Sequence, residues 1–511
     1  NGFSSDNYIR NWATYDQYYV ANVYAEYTYD ELADHYIKAM VGYNQEWGRN
    51  TGFSARANDL ITPLIPDLGA TIGVHSVTGG KSHVALRGVF YRLNYSYLDR
   101  YLIEANGRYD GTSRFPTDDR FGFFPSVSVG WRVSNESFME GTSNWLDNLK
   151  IRASYGTLGN QLLGSNYYPY ISTMGSGQSN FMFAGGKTPY VRAAGLVSPT
   201  LTWETVATQN IGLDMTALNQ RLNFSFDYYI RDTKDMLMDV EYPSILGTAA
   251  PKQNAADLRT KGWEVVATWR DKIGQDLIYS LTVGVADNQS EITDYDNPTG
   301  ALSEYYVGQQ LGEFWGYVTE GIFQTDEEVA QHADQSNRGA NWKAGDMKYK
   351  DLNGDGVINS GSNTLEDPGD RQIIGNNTAR YSFSLTPDFQ YKNWTMNLFF
   401  QGLFRDYLPS NGNWNAFYPF NAGHAEKWYL EESWSPDNPN AYFAKPGIGT
   451  SDGKKNIHPQ TRFVQDASYI RLRNVTLSYQ VPENVIAKLG MTRALLYISG
   501  MNLWTGSKMH K

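Results

Sequence analysis

The run Asp351-Leu352-Asn353-Gly354-Asp355-Gly356-Val357-Ile358 has the sharpest chemistry-bearing spacing in this sequence. Asp351, Asn353 and Asp355 fall on positions one, three and five of a calcium loop, Gly356 permits the turn at six, and Val357 offers its carbonyl at seven. Such a loop closes with a bidentate acid at position twelve, where this chain has Ser362. Asp370, or Asp367, completes the oxygen set only if residues 359–366 loop out. The other reading is a metal-free turn, in which the Asn-Gly and Asp-Gly pairs serve positive-φ geometry. Calcium is the one ion the residues point to, and nothing else in the chain requires a cofactor.

A second candidate site lies in the segment 402–462, where aromatics sit among Asn, Asp and Gly. Trp414, Phe417, Tyr418, Phe420 and Trp428, with Tyr429 and Trp434 beyond them, offer flat apolar faces beside polar groups. Such faces stack on the C–H surfaces of sugar rings while hydroxyls find hydrogen bonds. The same residues also suit a protein partner, or simple packing of a long loop.

No arrangement points to catalysis. The seven His are scattered without an H-E-x-x-H pair, no Cys is present, and no carboxylate pair sits in a recognisable catalytic word. Gly156 to Gln161 (GTLGNQ) lacks the GK[ST] ending of a phosphate loop and reads as a turn. A net charge of -11 argues against nucleic acid, whose phosphates need clustered Lys and Arg.

The elements that position these residues are strands. From Arg221 to Arg231, Leu222, Phe224, Phe226, Tyr228 and Ile230 share one face, with Asn223, Ser225, Asp227, Tyr229 and Arg231 on the other. Trp394, Met396, Leu398 and Phe400 repeat the pattern, as do Trp263, Val265, Ala267 and Trp269. Further candidates are 18–29, 35–46, 83–98, 100–111, 123–133, 148–157, 203–217, 277–288, 380–391, 467–481 and 493–503, and one or two more are expected in 303–350. Short helical pieces are expected at Glu136 to Glu140 and at Glu483 to Leu489.

Short turns at Leu98-Asp99-Arg100, Asn219-Gln220 and Lys392-Asn393 alternate with long connections at 47–80, 158–200, 289–345 and 402–462. Short turns on one side and long loops on the other describe an all-β, transmembrane antiparallel β-barrel. The mean hydropathy of -0.50 does not oppose this, because lipid-facing and lumen-facing residues alternate. No window approaches the ~20 apolar residues of a membrane helix. Tyr and Trp at strand ends suit interfacial girdles, although they would also serve as cross-strand pairs.

Several words resemble the SusC/RagA-type TonB-dependent transporters of the Bacteroidetes outer membrane. They include NYSYLDRYLIEANGRYDGTSRF (Asn94 to Phe115), FGFFPSVSVGWRVSNESFM (Phe121 to Met139), LKIRASYGTLGNQ (Leu149 to Gln161) and WETVATQNIGLD (Trp203 to Asp214). GDMKYKDLNGDGVI (Gly345 to Ile358), DRQIIGN (Asp370 to Asn376), ASYIRLRNVTLSYQVP (Ala467 to Pro482) and LYISGMNLWT (Leu496 to Thr505) follow in order.

The resemblance implies a barrel of about 22 strands in the full parent, of which roughly 14–16 are expected here. It also implies an N-terminal plug and energy from TonB–ExbB–ExbD through that plug. A SusD-like surface lipoprotein would present oligosaccharide or peptide. Residues 1–511 are then expected to be part of one outer-membrane barrel domain, with the plug and final strands outside the chain. The function expected is import of a nutrient, foremost an oligosaccharide, at the outer membrane of a Gram-negative bacterium. A secreted carbohydrate-binding protein or glycan-active enzyme is the competing reading, and a passive porin the third.

Overall fold

The computed structural model describes the chain apart from residues 1–6, 31–33, 63, 165–166, 184–185, 241–244, 246, 249, 410–426, 448–453, 488–489 and 510–511. In chain order the strands are β1 (Tyr8–Tyr29), β2 (His35–Asn58), β3 (His75–Tyr97), β4 (Tyr101–Thr112), β5 (Phe121–Arg132), β6 (Leu146–Asn160), β7 (Ser176–Phe183) and β8 (Gly186–Val191). Next come β9 (Glu204–Ala217), β10 (Leu222–Lys234), β11 (Leu237–Asp239), β12 (Lys252–Asn254), β13 (Ala256–Ile273), β14 (Leu277–Tyr295), β15 (Glu313–Tyr317) and β16 (Thr319–Ile322). The last are β17 (Met347–Tyr349), β18 (Arg371–Asn376), β19 (Arg380–Tyr391), β20 (Trp394–Phe404), β21 (Asp406–Tyr407), β22 (Gln465–Asp466), β23 (Tyr469–Gln480) and β24 (Leu495–Ser507). Fourteen of them form one sheet in the order β1-β2-β3-β4-β5-β6-β9-β10-β13-β14-β19-β20-β23-β24, and these are the fourteen expected from the alternation.

The turns between neighbours are tight enough to force left-handed backbone on ordinary residues. Leu98 and Asp99 have φ of 54° each, Leu218, Asn219 and Gln220 have 60°, 58° and 63°, and Lys392 has 53°. Asp147 holds the second of these turns by accepting the N–H of Gln220 at 2.9 Å.

Four expectations need correction. The connection expected at 47–80 is much shorter, because β2 runs on to Asn58 and β3 begins at His75. The other long connections also carry structure: β7 and β8 form a hairpin in 158–200, and β15, β16 and a short helix, Asp326–Gln331, lie in 289–345. The 303–350 region holds three short strands, β15, β16 and β17, rather than one or two, and none joins the large sheet. The helical piece expected at Glu136 to Glu140 is a 3-10 turn, Ser137–Thr142, and the one expected at Glu483 to Leu489 is helical over Glu483–Ile486, residues 488–489 lying outside the described residues.

The chain forms two compact units. In the first, register fixes which side chains share a face. One face of β1 to β5 carries the rows Tyr27-Ala39-Leu93-Ala105-Val127, Ala25-Val41-Tyr91-Gly107-Pro125 and Val23-Tyr43-Val89-Tyr109-Phe123. The opposite face carries Thr28-Lys38-Asn94-Glu104-Ser128 and Glu26-Met40-Arg92-Asn106-Ser126. That polar face carries two ion pairs: Lys38 lies 2.9 Å from Glu26, and Arg108 lies 2.8 Å from Asp110.

In the second unit, Leu277-Tyr391-Trp394-Tyr479-Leu496 and Tyr279-Phe389-Met396-Leu477-Ile498 make the corresponding apolar rows of β14, β19, β20, β23 and β24. Ser280, Asp388, Asn397, Thr476 and Ser499 lie on the other side. Within each unit the apolar face is exposed and the buried clusters sit in the connections, the reverse of a soluble sheet packed on its own core.

Candidate functional site

The connections of the second unit fold into a cap of their own. Tyr317, Ile322, Met347, Tyr349, Ile358, Tyr429, Phe443, Ala444 and Phe463 pack together, all buried. A polar network runs through this cluster. Lys455 Nζ lies 2.8 Å from Asp346 Oδ2 and donates to the carbonyl of Asn341 at 2.8 Å. Asp346 also accepts from the N–H of Lys343 and from Asn456 Nδ2, at 2.8 and 2.9 Å.

Gln335 receives the N–H of Tyr349 and donates to the carbonyl of Met347, satisfying the edge of β17 that β16 leaves open. Gln460 donates to the carbonyl of Asn456 and accepts the Thr319 hydroxyl at 2.7 Å. Burial pushes the Tyr349 and Tyr317 phenols up and the His458 imidazole down, so His458 is held neutral beside the Arg338 carbonyl at 3.0 Å.

The five candidate calcium ligands lie on this cap, and 359–366 does loop out. Asp370 is fully buried and returns to the start of the motif, accepting the N–H groups of Leu352 at 2.9 Å and Asn359 at 2.8 Å. Asp351 accepts the N–H groups of Gly354 and Gly356, at 2.7 and 2.8 Å, and the Gly356 donor chiefly holds its carboxyl below the usual carboxylate range. Asp355 accepts from Val357 N–H and Asn353 Nδ2, at 2.8 and 3.0 Å, while the Val357 carbonyl accepts Asn359 Nδ2 at 3.2 Å. Gly354 and Gly356 have φ of 77° and 80°, as the turn reading requires. Among the described residues no group of three or more His, Asp or Glu gathers where a metal ion would sit.

Of the aromatic candidates, Trp414, Phe417, Tyr418 and Phe420 lie outside the described residues. Trp428 packs on the cap cluster, with its ring 5.7 Å from Phe443, and Trp434 donates to Gln324 Oε1 at 3.1 Å. These side chains build the cap.

A different surface presents aromatic and polar groups together. Beyond the end of β4, the outer halves of β1, β2 and β3 continue as a three-stranded ribbon. Its polar face holds a trough of about 680 Å³ bordered by Arg10, Trp12, Thr14, Asn50, Ser54 and Thr78. Gly52 pairs with Gly80 to floor it, and neither glycine has a side chain to fill the space. Trp12 is 74% exposed, and Arg10 is oriented by a 2.7 Å bond from Nε to the Ser54 hydroxyl. Sequence reading passed over this site because glycines and polar residues on both faces look like loop.

Strands with one apolar and one polar face, joined alternately by tight turns and by folded loops, define the wall of an outer-membrane β-barrel. The chain belongs to the TonB-dependent receptor-like β-barrel family, whose pattern matches residues 1–503. It is 28% identical over 516 residues to TonB-dependent receptor P3 of Formosa agariphila, covering 96% of this chain and 49% of the relative. It is 27% identical over 468 residues to TonB-dependent receptor SusC of Bacteroides thetaiotaomicron, covering 90% of this chain and 44% of that one. A structure described as the RagAB peptide transporter superposes with a TM-score of 0.80 at 22% identity, over 98% of this chain and 53% of the other. The chain thus spans about half the length of the relatives it matches.

Proposed function

We propose that the parent protein imports an oligosaccharide across the outer membrane of a Gram-negative, Bacteroidetes-like bacterium. TonB–ExbB–ExbD supplies the energy, and a SusD-like surface lipoprotein delivers the substrate. The proposal includes no enzymatic step, in keeping with relatives that are named receptors. The observation that carries the sugar assignment is the trough on β1 to β3. An exposed indole beside Ser54, Thr78, Asn50 and Arg10 offers a sugar ring a stacking face and hydrogen-bond partners in one trough. The second reading is peptide import, favoured by the RagAB structure, whose description names a peptide transporter.

The test is growth of a deletion strain, complemented with the full-length gene, on single oligosaccharides and on peptides as carbon sources. The reading expects growth on one glycan to be lost with the gene or with TonB, and Trp12→Ala to raise the concentration needed for half-maximal uptake about tenfold. Growth defects confined to peptides would replace the sugar by a peptide, and uptake that persists without TonB would overturn energised import.

A further inference from the structure

The apolar face of β1 to β5 has two aromatic borders. At the tight-turn end Tyr97 stacks on Tyr101, which pairs with Trp131. At the loop end Tyr19 stacks on Trp47, with ring centroids 5.7 Å apart, and Ala85 completes their row on β3. From Tyr97 to Ala85 the strand rises about 40 Å at ~3.3 Å per residue. At a tilt of ~40° that is about 30 Å across a bilayer, the height of a hydrocarbon band with its girdles. Tyr19 and Trp47 therefore mark the outer-leaflet interface.

Basic side chains cluster at that level on the same face. Arg87 lies one row inside the Trp47 row, Arg49 and His83 one row outside it, and Lys81 the row beyond, as the strand pairings place them. All four are exposed. Arg87 is steadied by the Phe121 ring, 5.0 Å away, and His83 by the Tyr168 hydroxyl at 2.6 Å. No Asp or Glu occupies this face on any of β1 to β5. Among the described residues none of Arg49, Lys81 and Arg87 is paired with a carboxylate, whereas Lys38 and Arg108 on the polar face are. Unmatched cations at the border of an apolar band call for anions fixed at the interface.

Resting on the barrel reading above, we infer that Arg49, Lys81 and Arg87 form a site for the phosphate groups of an outer-leaflet lipid, with acyl chains lying along Val23, Val41, Val89 and Tyr91. Arg49 and Arg87 supply forked donors to phosphate oxygens and Lys81 a point charge. The lipid's chains, not only its phosphates, contribute to binding.

The experiment uses the full-length protein purified in detergent and incubated with a bis-phosphorylated lipid A, its dephosphorylated form, or inorganic phosphate. Native mass spectrometry reads bound lipid. Wild type is expected to retain the phosphorylated lipid at least tenfold better than the dephosphorylated one. The triple variant Arg49→Glu, Lys81→Glu, Arg87→Glu is expected to lose it while keeping heat-modifiable barrel migration and substrate binding. If the triple variant fails to fold, the three single reversals are read instead, each expected to lower retention at least threefold. Equal retention of both lipids, equal retention by the folded variants, or displacement of the lipid by millimolar inorganic phosphate overturns the lipid site. A protein that stays soluble without detergent overturns the barrel reading itself, so the two failures are distinct.

Discussion

Lys455→Met tests whether the cap is held by its buried ion pair. The side chains of Lys455 and Asp346 are 4% and 1% exposed and meet at 2.8 Å. Methionine keeps the apolar stem but leaves Asp346 as a buried charge with only the Lys343 N–H and Asn456 amide to answer it. Removing one partner of such a pair costs about 3–5 kcal/mol. Local opening of the cap should therefore become roughly two to nearly four decades more frequent, at ~1.4 kcal/mol per decade. Hydrogen exchange of the amides at 346–349 and 455–463 reads this directly, with β19 and β20 as internal reference. Adding Asp346→Asn to Lys455→Met should recover a large part of the loss, since the stranded charge is then gone. A rise below tenfold, or a double variant no better than the single one, refutes the reasoning.

Acid should loosen the same cap through His458. Burial holds its native value below the ordinary ~6.5, so the native state binds fewer protons than the unfolded one in between and stability falls as pH drops through that window. Exchange at 455–463, corrected for intrinsic rates, should accelerate from pH 7 to pH 5, and His458→Asn should flatten the profile; an unchanged wild-type profile would contradict the assignment. Asp351 and Asp367 act in the same direction at lower pH, contributing stability above about pH 4 that disappears as they protonate. Calcium is decided by calorimetry on the intact protein: the filled carboxylates of Asp351 and Asp370 predict no binding heat, and heat abolished by Asp351→Asn would install the metal.

The sheet was legible in the sequence wherever its two faces meet different surroundings. Trp394, Met396, Leu398 and Phe400 alternate with Thr395, Asn397 and Gln401 because one side is apolar and the other polar, and the strand appears where that contrast is strongest. The outer halves of β1, β2 and β3 have no such contrast. Gly48, Gly52, Gly79 and Gly80 interrupt them and polar residues stand on both faces, so periodicity is silent although the ladder continues without a break. The cap was legible in part. The turn chemistry of Asn353-Gly354-Asp355-Gly356 is local, and Asp370 reaches back to the start of the motif. The partners of Asp346 are not local: Lys455 and Asn456 stand more than a hundred residues away, and no short pattern announces a docking at that range.

That distance also orders events in time. Segment 346–349 meets 455–460 only after the chain between them has left the cap, paired β19 with β20 and returned. Joining the two segments closes a long flexible loop, and pairing β19 with β20 first shortens its flexible part. The order expected is β19–β20 before the cap, so protease resistance at 455–463 should lag behind protection of β19 and β20 in newly inserted wall.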